Sequence, residues 1–165
     1  MISGDIKETN TYIPWQLHDV RDLEDEHHSL HLKYLYDVMA ERLKAPETNI
    51  SHTVMPTYEE HVHFVMRNRI YGYHFVIANS GYEKDLLGCG YVSENNELGI
   101  YISPKYRRRS IAREVISMLI EDNPDIKFLA NINQNNEASI ALFKSLGFRQ
   151  LSITMIKDAT PTVQV

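Results

Sequence analysis

The chain has 165 residues, 43% of them hydrophobic and 24% charged, with a formal net charge of −5. That length suits one domain with a full core, and the composition argues against a disordered chain. The acidic balance argues against a general attraction to nucleic acid or anionic membrane, and the one cysteine, Cys89, rules out an internal disulfide.

Cys89 sits in the strand-like run Leu87-Gly88-Cys89-Gly90-Tyr91 and reads as a small packed residue. The N-terminus shows no basic segment followed by an apolar run, and no apolar run is long enough to cross a bilayer. A cytoplasmic, reducing location is the expectation.

Residues 1–10 and 158–165 lack any period and are expected to be loose termini of one domain spanning 1–165. A first strand is expected around Trp15, Leu17 and Val20. Past the charged stretch Arg21–His28, the helical spacing of Leu30, Tyr34, Leu35, Val38, Met39 and Leu43 predicts a helix ending near Pro46. Thr57 with Glu60 forms a capping box that opens a second helix, with Val62, Phe64 and Val65 on its apolar side. Tyr71–Ala78 and Leu86–Val92, joined through Asn79-Ser80-Gly81, read as a hairpin. Glu94-Asn95-Asn96 turns the chain into a third antiparallel strand, Glu97–Ile102, which Ser103-Pro104 ends.

Arg107, Arg108 and Arg109 then lead to Ser110, an expected N-cap, and to a helix burying Ile111, Val115, Ile116 and Leu119. Asn123-Pro124-Asp125 stops that helix, and Ile126–Ile132 is expected to pair parallel to the Glu97 strand, because a whole helix separates the two. Glu137–Leu146 reads as a last helix closed by Gly147, and Phe148–Ile156 as a last strand.

The strand, basic loop and helix start at 97–112 bring unpaired backbone N–H groups, a positive helix end and guanidinium groups into one small volume. That arrangement suits a phosphate or pyrophosphate. No metal is expected. His27 and His31 form an i, i+4 pair without a third ligand at a recognised spacing, and His61 and His63 point to different sides of a helix.

Two motifs carry a resemblance. Arg107-Arg108-Arg109-Ser110-Ile111-Ala112 is similar to the pyrophosphate loop of the GNAT superfamily of acetyl-CoA-dependent N-acetyltransferases, with serine at position 110 where glycine is usual. Asn136-Glu137-Ala138-Ser139-Ile140-Ala141-Leu142-Phe143-Lys144-Ser145-Leu146-Gly147-Phe148 resembles the family's second motif and stands at the right distance from the first. The segments Asn96–Ile100 and Leu129–Asn133 also resemble a bacterial and phage-like group, some of whose members acetylate amino groups on nucleotide-linked sugars.

The resemblance implies an α/β (α+β) domain with a mixed sheet of about six to seven strands and about four helices, antiparallel first and with a parallel β-α-β crossover at the donor site. It implies acetyl-CoA as donor, with Arg107, Arg108, Arg109, Ser110, Ile111 and Ala112 at the pyrophosphate. The backbone of Leu98, Ile100 and Ile102 would meet the pantetheine arm, and Asn131, Asn136 and Phe143 would lie nearby. Glu97 stands where many relatives carry a general base, and Tyr101 shares its face by strand alternation. His52 and Asn133 are the substrate-side candidates.

Phe143 replaces a tyrosine that in many relatives protonates the departing thiolate. Direct thiolate release, substitution by Tyr101 or Tyr106, and an inactive domain are the three consequences left open. The expected partner is a small-molecule amine, with a nucleotide-linked amino sugar as the narrower expectation, no nucleic acid and no membrane, in a monomer or homodimer. A protein N-terminal acetyltransferase and a silent acyl-CoA-binding domain are the alternatives.

Overall fold

The structure, a computed structural model, describes residues 13–45, 54–67 and 71–153. Four strands run in the order β1 (Trp15–Asp19), β2 (Tyr71–Asn79), β3 (Tyr82–Ser93) and β4 (Leu98–Ile102), each antiparallel to its neighbour. Helices α1 (His28–Leu43) and α2 (Tyr58–Arg67) cover one face of this sheet, and α3 (Ile111–Glu121) and α4 (Glu137–Ser145) the other.

The period-2 alternation of β2 explains the two layers. Phe75 and Ile77 are fully buried with Val115, Ile116 and Phe143, whereas Val76 and Ala78 are fully buried with Leu32, Val38 and Val65. Two long polar contacts tie the layers to the sheet. The Trp15 indole N–H donates to Glu114 Oε2 at 2.8 Å, and Tyr34 Oη lies 2.6 Å from Ser103 Oγ at the end of β4.

The local signals act as their chemistry requires at both ends of the chain. Thr57 and Glu60 close the capping box of α2: the Thr57 N–H donates to Glu60 Oε2 at 2.8 Å, and the Glu60 N–H to Thr57 Oγ1 at 3.2 Å. Gly147, at φ +87°, ends α4 in a Schellman motif, with Phe148 N–H on the Phe143 carbonyl and Gly147 N–H on that of Lys144. The rings of Phe143 and Phe148 meet edge to face at 5.0 Å, which supplies the apolar contact of that motif.

Several expectations are corrected. Among the described residues the sheet has four strands, not six to seven. Ile126–Ile132 contributes only one bridge, Leu129 to Glu97, of the expected parallel sense. Leu98 N–H donates to the Leu129 carbonyl at 2.8 Å and Leu129 N–H to the Asn96 carbonyl at 2.9 Å, and no ladder follows. Residues 148–153 form no strand, and 154–156 lie outside the described residues. On α1 the buried face carries His31, Leu32 and Val38 while Leu30 is exposed, because His31 turns toward the β1–α1 connection. On α2, His61 is buried and Phe64 exposed.

Glycine makes room in the middle of the sheet. A Cβ on Gly90 would stand 2.5 Å from the Gly99 carbonyl oxygen and 2.6 Å from the Phe75 ring, neither of which has space to retreat. Gly90→Ala is therefore expected to destabilise the fold by about 1–3 kcal/mol, the usual cost of overpacking, seen as a lower midpoint in denaturant titration without a change in slope.

Candidate active site

A cavity of about 770 Å³ opens between the α1–α2 layer and the outer end of the sheet. Glu97, Leu98, Ile100 and Tyr101 reach it from β4 and its entry. Asn131, Asn133, Asn136 and Phe143 reach it from the segment leading into α4. Eight of the residues singled out in the sequence thus meet around one space. His52 lies outside the described residues.

The pairing of β3 with β4 is regular from Val92–Leu98 to Gly88–Ile102, so strand alternation holds without a bulge. Leu98, Ile100 and Ile102 side chains pack toward α3 and α4, while Tyr101 packs against the α1–α2 layer. Because the Leu98 N–H points at Leu129 and away from β3, the backbone groups of Ile100 and Ile102 face the same outer edge. The Ile102 carbonyl accepts from Arg107 Nε at 3.0 Å. Ile100, between the two, has no ladder partner on that side among the described residues. This short open edge borders the cavity.

Glu97 is held by its neighbours. The Tyr91 hydroxyl donates to Glu97 Oε1 at 3.0 Å, and the Glu97 N–H donates to Ser93 Oγ at 3.0 Å. Tyr91 reaches it by lying across Gly99, where a Cβ would come within 2.3 Å of the Tyr91 ring. Gly99 is thus what lets the hydroxyl arrive.

Tyr101 has a buried hydroxyl, and burial, followed by the neighbouring Glu41 carboxylate, raises its pKa above the ordinary tyrosine value. It keeps its proton at neutral pH. Tyr106 is also buried, but its hydroxyl donates to Asp85 away from the cavity, which removes it as a substitute for the missing tyrosine at position 143. Burial pushes the Cys89 thiol up to about 12, so it is no nucleophile.

The basic loop lies outside the cavity lining, at the N-terminus of α3. Arg107, Arg108, Arg109 and Ser110 are exposed, Ile111 is buried, and Ala112 is half-buried. Arg107 is committed to β4: besides its bond to Ile102, its guanidinium stands 5.7 Å from the Tyr101 ring centre. Arg108 and Ser110 take φ of +61° and +63°. Ser110 caps α3 only by position, since its side chain makes no capping hydrogen bond, and that corrects the N-cap expectation. A left-handed residue strains its Cβ, which is the physical reason that glycine suits this place. The first N–H groups of α3 have no intrahelical acceptor and face the loop, so the cradle fits a pyrophosphate. Asn136 caps α4, its Oδ1 accepting from the Ser139 N–H at 3.1 Å.

Sequence reasoning missed Arg42, His74 and Tyr91, all of which line the cavity. Their placement depends on cross-strand register and helix packing, which leave no local pattern. Burial above all, then the charge of Arg21, lowers His74 to about 4, so it is neutral at pH 7.

The comparisons with known proteins agree with this fold. The sequence profile of the acetyltransferase (GNAT) family matches residues 12–148. A domain from Methanocaldococcus jannaschii is similar in fold, with TM-score 0.63, 22% identity, and coverage of 84% of this chain and 90% of that one. The spermidine N-acetyltransferase of Vibrio cholerae, solved with CoA and spermine, gives TM-score 0.63 at 16% identity, covering 84% of this chain and 82% of that one. A GCN5-related N-acetyltransferase from Kribbella flavida gives 0.58 at 16% identity, covering 84% of each chain. No curated protein matches the chain. The family match over residues 12–148 makes the chain an acyltransferase. The chain belongs to the GNAT acetyltransferase family.

Two predictions follow from the local strain and charge. Ser110→Gly should raise stability by about 1 kcal/mol by relieving the left-handed Cβ, read as a higher melting temperature. Because the folded-state pKa of His74 lies below the unfolded value near 6.5, the unfolded chain takes up the proton first, and stability falls as pH drops from 6.5 toward 4. His74→Gln should flatten that part of the stability–pH curve; an unchanged slope would contradict the buried neutral imidazole.

Proposed function

We propose that this protein transfers the acetyl group of acetyl-CoA to the primary amine of a small molecule carrying an anionic group, with a nucleotide-linked amino sugar as the class that fits best. The observation that carries the reading is the Glu97 carboxylate, held by Tyr91 in a cavity that the open edge of β4 borders. A volume of about 770 Å³ is in the range of small-molecule sites. Arg42 lines that cavity together with the carboxylates of Glu60 and Glu97, and would be the group that meets a phosphate or carboxylate on the acceptor.

On the donor side, the N–H groups of Arg108 to Ala112 and the guanidinium groups of Arg108 and Arg109 would hold the pyrophosphate. The backbone edge of Leu98, Ile100 and Ile102 would hold the pantetheine arm, with Asn131 and Asn136 as amide partners. Asn133 lies on the acceptor side.

Chemically, the amine nitrogen attacks the thioester carbon and the C–S bond breaks. An ordinary alkylammonium and an ordinary carboxylate differ by about six pKa units, about 8 kcal/mol, so complete deprotonation before attack is uphill. Glu97 instead removes the proton as the N–C bond forms and the nitrogen becomes more acidic. Tyr101 lines the same cavity and would be the residue to supply a proton to the departing thiolate, the task that Phe143 cannot perform. Phe143 alone would instead favour a silent acyl-CoA-binding domain.

Thiol release from acetyl-CoA across a panel of amines tests the proposal. Glu97→Gln should cut kcat by about 10²–10⁴-fold with little change in KM for acetyl-CoA, and Tyr101→Phe should also lower kcat. Arg42→Ala should raise KM only for amines bearing an anionic group. Unchanged turnover in Glu97→Gln removes Glu97 as the base, and a panel without any turnover favours the silent domain.

A further inference from the structure

Outside the cavity lining, where β1 runs into the start of α1, three side chains converge that the reaction does not use. His18 comes from β1, Asp25 from the connection after it, and His31 from the first turn of α1. One ligand atom from each lies within 4.8 Å of the other two. His18 Nδ1 is 2.9 Å from Asp25 Oδ2, and His31 Nδ1 is 3.5 Å from the same oxygen. The two imidazole rings stand 5.0 Å apart, centre to centre.

His31 is the decisive member. It is fully buried, yet neither of its ring nitrogens makes a hydrogen bond among the described residues. A buried imidazole left in that state costs free energy unless something else meets it. The other Asp25 oxygen, Oδ1, accepts the His27 backbone N–H at 2.7 Å, which aims Oδ2 at the two histidines. His27 adds a buried Nδ1 without a hydrogen-bond partner, 4.0 Å from Asp25 Oδ1.

We propose that His18, Asp25 and His31 bind one divalent zinc-class cation, which clamps β1 to the start of α1. Two imidazole nitrogens and one carboxylate oxygen are donors that zinc takes readily, and tetrahedral bonds near 2.0–2.1 Å put ligand atoms about 3.3 Å apart, between the two distances found here. His27 or a water completes the fourth position. Gln16 lies 2.9 Å from His18 Nε2 and, with its amide turned so that the oxygen accepts, fixes the tautomer that leaves Nδ1 for the metal. The spacing in sequence hides this site, because one ligand comes from a strand, one from the connection and one from a helix, and the separations match no recognised metal motif.

The test uses the full-length, untagged chain stripped of metal with a chelator and titrated with zinc chloride against a chromophoric competitor, alongside thermal denaturation. The proposal expects one tight equivalent and a rise in melting temperature. His18→Gln and Asp25→Asn should each weaken binding by about tenfold or more and abolish the rise, whereas His63→Gln, at an exposed residue outside the cluster, should leave both unchanged. His31→Gln should behave like His18→Gln; if its buried site prevents folding, the partly exposed His18 variant decides. Absence of a tight equivalent in the parent chain, or equal affinity in the His18 and Asp25 variants, overturns the site. Neither result bears on acetyl transfer, which the thiol-release assay reads separately.

Discussion

The site depends on where one backbone ladder stops. β4 pairs along its whole length with β3, but on its other side it meets Leu129 at a single bridge and then, among the described residues, runs on without a partner. A strand edge inside a protein needs its N–H and C=O groups met by something. Leu98 is met by Leu129 and Ile102 by Arg107, which leaves the stretch around Ile100 as the place where an extended ligand can complete the sheet. In the proposed reading an acyl donor would lay its long amide-bearing arm along this edge, with its charged end at the basic loop.

Absence of side-chain bulk shapes the catalytic end. Gly99 leaves the space that the Tyr91 ring fills, and the Tyr91 hydroxyl then holds Glu97. Ser110 works in the opposite sense, carrying a Cβ where the backbone turns left-handed, and the loop keeps that geometry at a local cost. The rest of α3, with Ile111, Val115 and Ile116 buried, anchors the loop in that geometry.

Much of this was legible in the sequence where the signal is local. The Thr57–Glu60 capping box, the Gly147 stop and the hairpin turn at Asn79–Gly81 each depend on residues within a few positions, and each is formed. Features set by distant partners were not legible. An apolar run at Ile126–Ile132 says that the segment is extended and partly covered, but not that its ladder ends after one bridge. The apolar period of α1 pointed to Leu30, whereas the chain buries His31, since Asp25 and His18 stand opposite it. Tyr91 as the partner of Glu97 follows only from the β3–β4 register together with a glycine across from it.

Donor binding is the most direct test of the β4 edge and the 107–112 loop. Thermal denaturation of the whole chain with acetyl-CoA at about a hundred times its Kd should show stabilisation of about 2.7 kcal/mol, a rise of roughly 5–10 °C for a domain of this size. Coenzyme A should give a rise of similar size, since the loop and the strand edge meet parts that both share. An unchanged melting temperature at saturating concentrations of either would contradict the assignment of the β4 edge and the 107–112 loop to the donor.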